Sequence, residues 1–336
     1  MSNATISVVM ATYNGSKYLS DQLDSLTSQS RLPDEILISD DCSTDDTVAI
    51  LSRFKNETSL NVRIIRRERQ LHFRENFLQT ALEARSDFVA FCDQDDIWRH
   101  DKLERCAKYF SDPRVAMIVH PAETIDHQSK KIGHFRQGIT KQAIMPPLSY
   151  DLWHGFWGFS IVFRRNLLDL LPIQDRFTDY IAPNHLISHD RWITFLAQMV
   201  GQTIEIDEEL VKYRQHASNL FGKGSLFAIS TGDELRNRTD RYIEIANQML
   251  TVVASLDTAT TKNYPLFDRD ACKHFITESL ETLKRRRELY LEESRPKSII
   301  KAVAALTDGT YRSSFSKKTK WRSFARDLQY LAFGSR

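Results

Sequence analysis

Cysteine is scarce in this chain. Four occur among 336 residues (Cys42, Cys92, Cys106 and Cys272), with no C-x-x-C pair and no metal-ligand spacing. Reduced thiols in a cytoplasmic setting are therefore expected; a disulfide stays open, but nothing in the spacing indicates one. No apolar run approaches the roughly 18–20 residues that a membrane-spanning helix needs. No charged-then-apolar leader opens the sequence. A soluble protein, or one resting on a membrane surface, is expected. Net charge is also nearly missing: 46 Lys and Arg stand against 44 Asp and Glu, too even a balance for a whole-protein nucleic-acid footprint. Internal repeats and low-complexity tracts are absent. Neither Gly-x-Gly-x-x-Gly nor a Walker lysine motif follows the first apolar run, so a dinucleotide or P-loop site loses most of its support.

What the chain does have is acid at the ends of apolar runs. Phe88-Val89-Ala90-Phe91-Cys92 has the character of a buried strand, and it breaks into Asp93-Gln94-Asp95-Asp96. Three carboxylates within four positions repel one another unless a cation or hydrogen-bond donors sit among them. Strand ends are also where an open α/β sheet places its ligand. A solvated acidic turn is the plain alternative. A site for a divalent cation and phosphate is the sharper one, and oxygen ligands would favour Mg²⁺ or Mn²⁺.

The same punctuation recurs along the chain. Residues 6–11 form an apolar, β-branched run ending in Thr12-Tyr13-Asn14-Gly15, and a helix is predicted over 16–29. A second strand, 35–39, stops on Asp40-Asp41. A helix from Thr47 to Phe54, a strand at 62–65 and a helix over 76–84 precede the acidic strand. This alternation predicts a doubly wound, mostly parallel α/β sheet. Beyond Trp98 the pattern continues as a helix through Leu103 and Tyr109, a strand at 115–119 and an irregular stretch over 120–150. The aromatic segment Trp153–Arg165 is either a buried strand or a wall for a sugar ring. Asp190 stands at a predicted helix start, where an acid alone is more often a cap than a catalyst. A last strand is expected at 203–206.

Asn219, Gly222 and Gly224 suggest a flexible exit from a catalytic domain spanning 1–224, followed by a helical region over 225–336. In that region Trp321, Phe324, Ala325, Leu328, Leu331 and Ala332 share one helical face, flanked by Lys317, Lys318, Lys320, Arg322 and Arg326. Residues 295–336 hold ten Lys or Arg against two Asp, a local +8 that leaves −6 for the first 294 residues. Such a tail either docks on the catalytic domain or lies on an anionic membrane.

Taken in order, Thr12-Tyr13-Asn14-Gly15, Ser39-Asp40-Asp41-Cys42-Ser43-Thr44-Asp45, Asp93-Gln94-Asp95-Asp96, His189-Asp190 and Tyr213-Arg214-Gln215-His216 resemble the family 2 glycosyltransferases of the GT-A fold. The resemblance covers about residues 5–222. Phe91 to Trp98, Gly155 to Arg165 and His189 to Trp192 are similar to the bacterial rhamnosyltransferase-type branch. Cys42 departs from the glycine of the family's Asp-Asp-Gly-Ser.

The resemblance implies a nucleotide diphosphate sugar donor, dTDP- or UDP-linked, and a glycan or lipid-linked acceptor, and the basic tail points to the inner membrane face as the place of transfer. It also implies Mn²⁺ or Mg²⁺ and direct displacement with inversion. Asp40 would accept a hydrogen bond from the base, with Thr12, Tyr13, Asn14 and Asp41 around the nucleoside. Asp93 and Gln94 fall near the ribose, Asp95 on the metal, and His216 on the metal or diphosphate. Asp190 would be the base that deprotonates the acceptor. Arg214, Arg66, Arg67 or Arg74 could pair with the diphosphate, and the sequence leaves that choice open. Trp157, Gly158 and His189 fall on the diphosphate and acceptor side. Asp96 is expected to cap a helix near Trp98 or to support its neighbours. Two other classes stay open: a non-catalytic nucleotide-sugar binding module, and a nucleotidyltransferase. The latter usually needs a Gly- and Arg-rich phosphate loop, which Thr12 to Lys17 does not supply.

Overall fold

A computed structural model describes residues 4–216, 232–291, 294–311 and 319–333. The expected exit at Asn219, Gly222 and Gly224, and Lys317 and Lys318 of the basic flank, lie outside the described residues. Strand and helix alternate as the pattern predicts: β1 (Ile6–Thr12), α1 (Leu19–Thr27), β2 (Glu35–Asp40), α2 (Thr47–Glu57), β3 (Val62–Arg66), α3 (His72–Leu82) and β4 (Phe88–Cys92). β1 pairs in parallel with β2 and β4, and β2 with β3. Every residue of β2 and β4 is buried. Strands covered on both faces read as unbroken apolar runs, which is why they were legible. Their parallel direction brings the Thr12, Asp40 and Asp93 ends to one edge of the sheet.

The chain continues through β5 (Ile97–Trp98), α4 (Lys102–Ala107), β6 (Val115–Val119), β7 (Ala122–Ile125), β8 (Lys131–Phe135), β9 (Ala143–Met145), β10 (Val162–Arg164), α5 (His189–Val200), β11 (Gln202–Glu205) and β12 (Val211–Arg214). The described strands form an eight-stranded sheet, β3-β2-β1-β4-β10-β6-β11-β9, and a four-stranded one, β5-β12-β7-β8. Three expectations are corrected here. Residues 120–150 contain three strands, but β8 is largely exposed and β9 is three residues long, so neither imposes an apolar period. Ile97-Trp98 is a strand paired with β12 rather than a helix start. The Trp153–Arg165 segment is mostly loop and 3-10 turn, becoming strand only at Val162.

Among the described residues five helices follow: α6 (Gly232–Ser255), α7 (Thr258–Thr261), α8 (Arg269–Leu291), α9 (Arg295–Ala304) and α10 (Trp321–Phe333). Ile245, Met249 and Val253 of α6 and Phe275 and Ile276 of α8 join the cluster that holds Phe77, Phe91 and Trp192. On α10 part of the apolar stripe is turned inwards: Phe324 and Leu331 are buried with Tyr290 and Tyr311, while Trp321 and Ala325 stay exposed. Asp327, buried on the same helix, accepts hydrogen bonds from Arg286 Nε at 2.9 Å and Tyr311 Oη at 2.9 Å. A buried carboxylate needs such partners, and they fix the docked position. Among the described residues no helix is long and apolar enough to cross a membrane.

Candidate active site

The strand ends open into a cavity of about 620 Å³. Its first corner depends on Gly15. A Cβ there would lie 2.2 Å from Gln94 Oε1, so glycine is what lets the Gln94 amide close on Tyr13. Tyr13 N donates to Oε1 at 2.9 Å and Nε2 donates to Tyr13 O at 3.1 Å, joining the ends of β1 and β4. Asn14, with φ 46°, accepts the Thr44 N–H on its Oδ1 at 2.8 Å and ties this corner to the loop after β2. Thr12, Tyr13, Asn14 and Gln94 all border the cavity.

The adjacent acids of β2 point to different places. Asp40 is buried behind the wall, where Oδ1 accepts from Thr12 Oγ1 at 3.0 Å and Ser43 Oγ at 2.5 Å. Asp41 borders the cavity and accepts the Leu71 and His72 N–H groups at 2.7 and 2.8 Å. Of the two adjacent acids, Asp41 and not Asp40 borders the cavity, so the position expected to face it is taken by the second acid. Cys42 takes φ 66°, a conformation that favours the glycine of the resemblance.

At the acidic end, Asp95 Oδ2 lies 2.7 Å from His216 Nε2. The pairing of β12 with β5 brings these residues together across 121 positions of sequence. Arg214 is the strut beneath them. Its N–H donates to Asp96 Oδ1, and its guanidinium to Asp95 O, Asp126 O, Ser129 Oγ and Asp21 Oδ2. Arg214 thus lies behind the wall rather than on the diphosphate side, and Asp96 holds β12 instead of capping a helix. Asp93 is half-buried with its carboxyl enclosed. Burial, then the charges of Asp95 and Asp190, push that carboxyl up to about 7 against the pull of Lys102. Asp93 thus feels the charges of both Asp95 and Asp190, and all three border the cavity. Among the described residues no three acidic, His or Cys side chains gather as a cation cage. Asp95 and His216 make a pair, which suits Mg²⁺ or Mn²⁺ held by few protein ligands and completed by substrate phosphates.

Asp190 opens α5 on the opposite wall. Its Oδ1 accepts from Ser188 Oγ at 2.5 Å and from Arg191 N at 2.8 Å, which fixes the carboxylate at the cavity. Beside it His189 is buried, and burial pushes its imidazole down to about 4 despite Asp190. The ordinary value is about 6.5. The unfolded chain therefore takes up a proton that the folded chain refuses, and stability is full above pH 6.5 and falls as pH drops towards 4. At pH 5 the loss from this group should be about 2 kcal/mol. Urea unfolding at pH 7 and pH 5 checks this: His189→Phe should lose less stability between the two than the wild-type chain does.

The arginines proposed for the diphosphate turn out to be engaged elsewhere or distant. Arg67 binds Ser39 Oγ, Asn76 Oδ1 and Thr80 Oγ1, stitching β2 to α3. Arg74 pairs with Asp179 at 3.0 Å, and Arg66 is exposed at the end of β3. The cations that border the cavity among the described residues are Lys17 and Arg191, both missed. Each adjoins a recognised motif, so proximity in sequence could have flagged them. Trp157 and Gly158 do line the cavity, with Phe73, Asn76 and Phe77 of α3 facing them.

A family model described as glycosyl transferase family 2 matches residues 7–171. A dTDP-rhamnosyl transferase of Shigella flexneri is 35% identical over 233 residues, spanning 65% of this chain and 75% of that protein. The chain belongs to glycosyltransferase family 2. An uncharacterized glycosyltransferase of Nostoc sp. is 27% identical over 259 residues, spanning 73% of this chain and 74% of its own length. In fold, this family 2 chain matches the crystal structure of S. aureus TarS 1–349 in complex with UDP-GlcNAc. That match has a TM-score of 0.54 at 17% identity and covers 90% of this chain and 80% of the other. The architecture is GT-A, and the protein is a glycosyltransferase acting on nucleotide sugars. Asp190 and His216 fall beyond the stretch matched by the family model, so their roles rest on the geometry above.

Proposed function

We propose that this glycosyltransferase is metal-dependent and inverting, and that it moves a sugar from a dTDP- or UDP-linked donor to a hydroxyl of a lipid-linked or cell-surface polysaccharide acceptor. One observation carries the proposal: Asp41, Asp93, the Asp95–His216 pair and Asp190 border a single cavity. A nucleoside, a diphosphate and a reacting carbon need such groups within one site. Rhamnose is the first sugar to test, because the Shigella relative is named for it.

In this scheme Asp41 and the Tyr13 corner hold the nucleoside, and Asp93 faces the ribose. Asp95 and His216 would hold Mn²⁺ or Mg²⁺, which when bound offsets the charge on the departing diphosphate. Asp190, oriented by Ser188, takes the proton of the acceptor hydroxyl as its oxygen attacks the anomeric carbon. The bond from that carbon to the diphosphate oxygen breaks, and its electron pair leaves with the diphosphate. A single base acting opposite the leaving group gives one displacement and inverted configuration.

The test is product analysis after incubation with nucleotide sugars, Mn²⁺ and a membrane-derived acceptor fraction. Release of nucleoside diphosphate is expected. Release of pyrophosphate from a nucleoside triphosphate and a sugar phosphate would support a nucleotidyltransferase instead.

Residence at a membrane surface is proposed on the +8 of residues 295–336 and on Ile300, Val303 and Trp321, which stay exposed beside lysines. The chain should co-sediment with anionic liposomes and be released by salt. Equal sedimentation after removal of residues 295–336 would count against it.

A further inference from the structure

His189 is buried with neither ring nitrogen hydrogen-bonded. Its ring stacks on Phe77 at 4.2 Å and meets Phe91 edge-on at 4.9 Å and Phe73 at 6.0 Å. Packing alone favours an apolar residue among three phenylalanines, since an unpartnered buried polar atom destabilises the fold. The imidazole nevertheless borders the cavity, beside Trp157 and next in sequence to Asp190. In front of it lies Gly158, where a Cβ would come within 2.8 Å of Nε2. The cage fixes the plane of the ring, and a side chain at position 158 would press on Nε2.

A neutral imidazole offers one donor and one acceptor, and burial holds this ring neutral near pH 7. The part of a nucleotide sugar that lies between the diphosphate end and the Asp190 base is the sugar itself. We infer that His189 reads a hydroxyl of the transferred sugar through Nε2, and so selects the donor sugar. The inference rests on the glycosyltransferase reading of this cavity and adds a residue that sorts donors. Hydroxyl recognition by a caged, desolvated group discriminates strongly, because a sugar lacking that hydroxyl leaves the nitrogen unpaired.

The experiment is calorimetric titration of the full chain, with Mn²⁺, against dTDP and dTDP-rhamnose and against UDP and UDP-N-acetylglucosamine. Wild type, His189→Phe and Gly158→Ala are compared, each first shown to be folded by its unfolding transition. Wild type should bind at least one sugar form more tightly than its bare diphosphate. Both variants should keep the diphosphate affinity within about twofold and lose about tenfold of the sugar-dependent gain. His189→Asn, which retains a donor and an acceptor, should recover part of it. Equal loss for diphosphate and sugar forms would show a packing role and overturn the inference, as would an unchanged sugar gain in both variants. If wild type binds the diphosphates but gains nothing from either sugar, the inference fails while the nucleotide site stands. If wild type binds none of the four, the reading of the cavity itself fails.

Discussion

Asp190→Asn should lower the transfer rate by about 10³-fold while nucleotide affinity stays within about twofold of wild type. The replacement is nearly isosteric. An amide oxygen can still accept from Ser188 Oγ and Arg191 N, the two groups that hold Asp190 Oδ1, so α5 and the cavity wall should be undisturbed. What is lost is the capacity to take a proton. The groups that would hold the nucleoside, Asp41 and the Tyr13–Gln94 clamp, belong to other elements and make no hydrogen bond to Asp190. Rate and affinity should therefore separate. Steady-state transfer beside equilibrium nucleotide binding measures both, and turnover within about tenfold of wild type would remove Asp190 from the role of base.

Asp95→Ala should reduce Mn²⁺-supported affinity for a nucleoside diphosphate by about 100-fold, a loss of the size seen when a metal site is dismantled. The wild-type carboxylate sits 2.7 Å from His216 Nε2, and removing it leaves an imidazole by itself at the diphosphate end. EDTA should bring the wild-type chain down to the level of the variant and leave the variant unchanged. Titration of UDP or dTDP with Mn²⁺ and with EDTA makes that comparison. Wild-type affinity indifferent to EDTA would contradict a metal held by Asp95. The Arg214 strut depends on the Asp95 backbone carbonyl and not on its side chain, so the variant should keep the placement of β12 and its fold.

The parallel half of the sheet was legible because buried strands produce unbroken apolar runs and their ends break into acids. Asp93, Asp95, Asp190 and His216 were likewise legible, because their motif spacing survives as linear text, and the structure brings all four to one cavity. Three things were not. At the end of β2 two neighbouring acids face opposite ways, and their identity alone does not say which one meets the cavity; Thr12 and Ser43 decide it by engaging Asp40. Arg214 looked available because its partners lie at residues 21, 95, 126 and 129, none of them near it in sequence. The cage around His189 is assembled from α3 and β4, more than 90 positions upstream, so its unpaired nitrogens are visible only after folding. Local pattern identified the acids, whereas long-range pairing settled which side chains remain free to act.

The most direct measurement is a crystal structure of the full chain with a nucleoside diphosphate and Mn²⁺. The base should lie by Asp41 and Tyr13, the ribose by Asp93, and the ion between the diphosphate and the Asp95–His216 pair, with the Asp190 carboxylate facing the empty sugar position. A nucleotide bound elsewhere on the molecule, or an ion coordinated away from Asp95, would contradict the site.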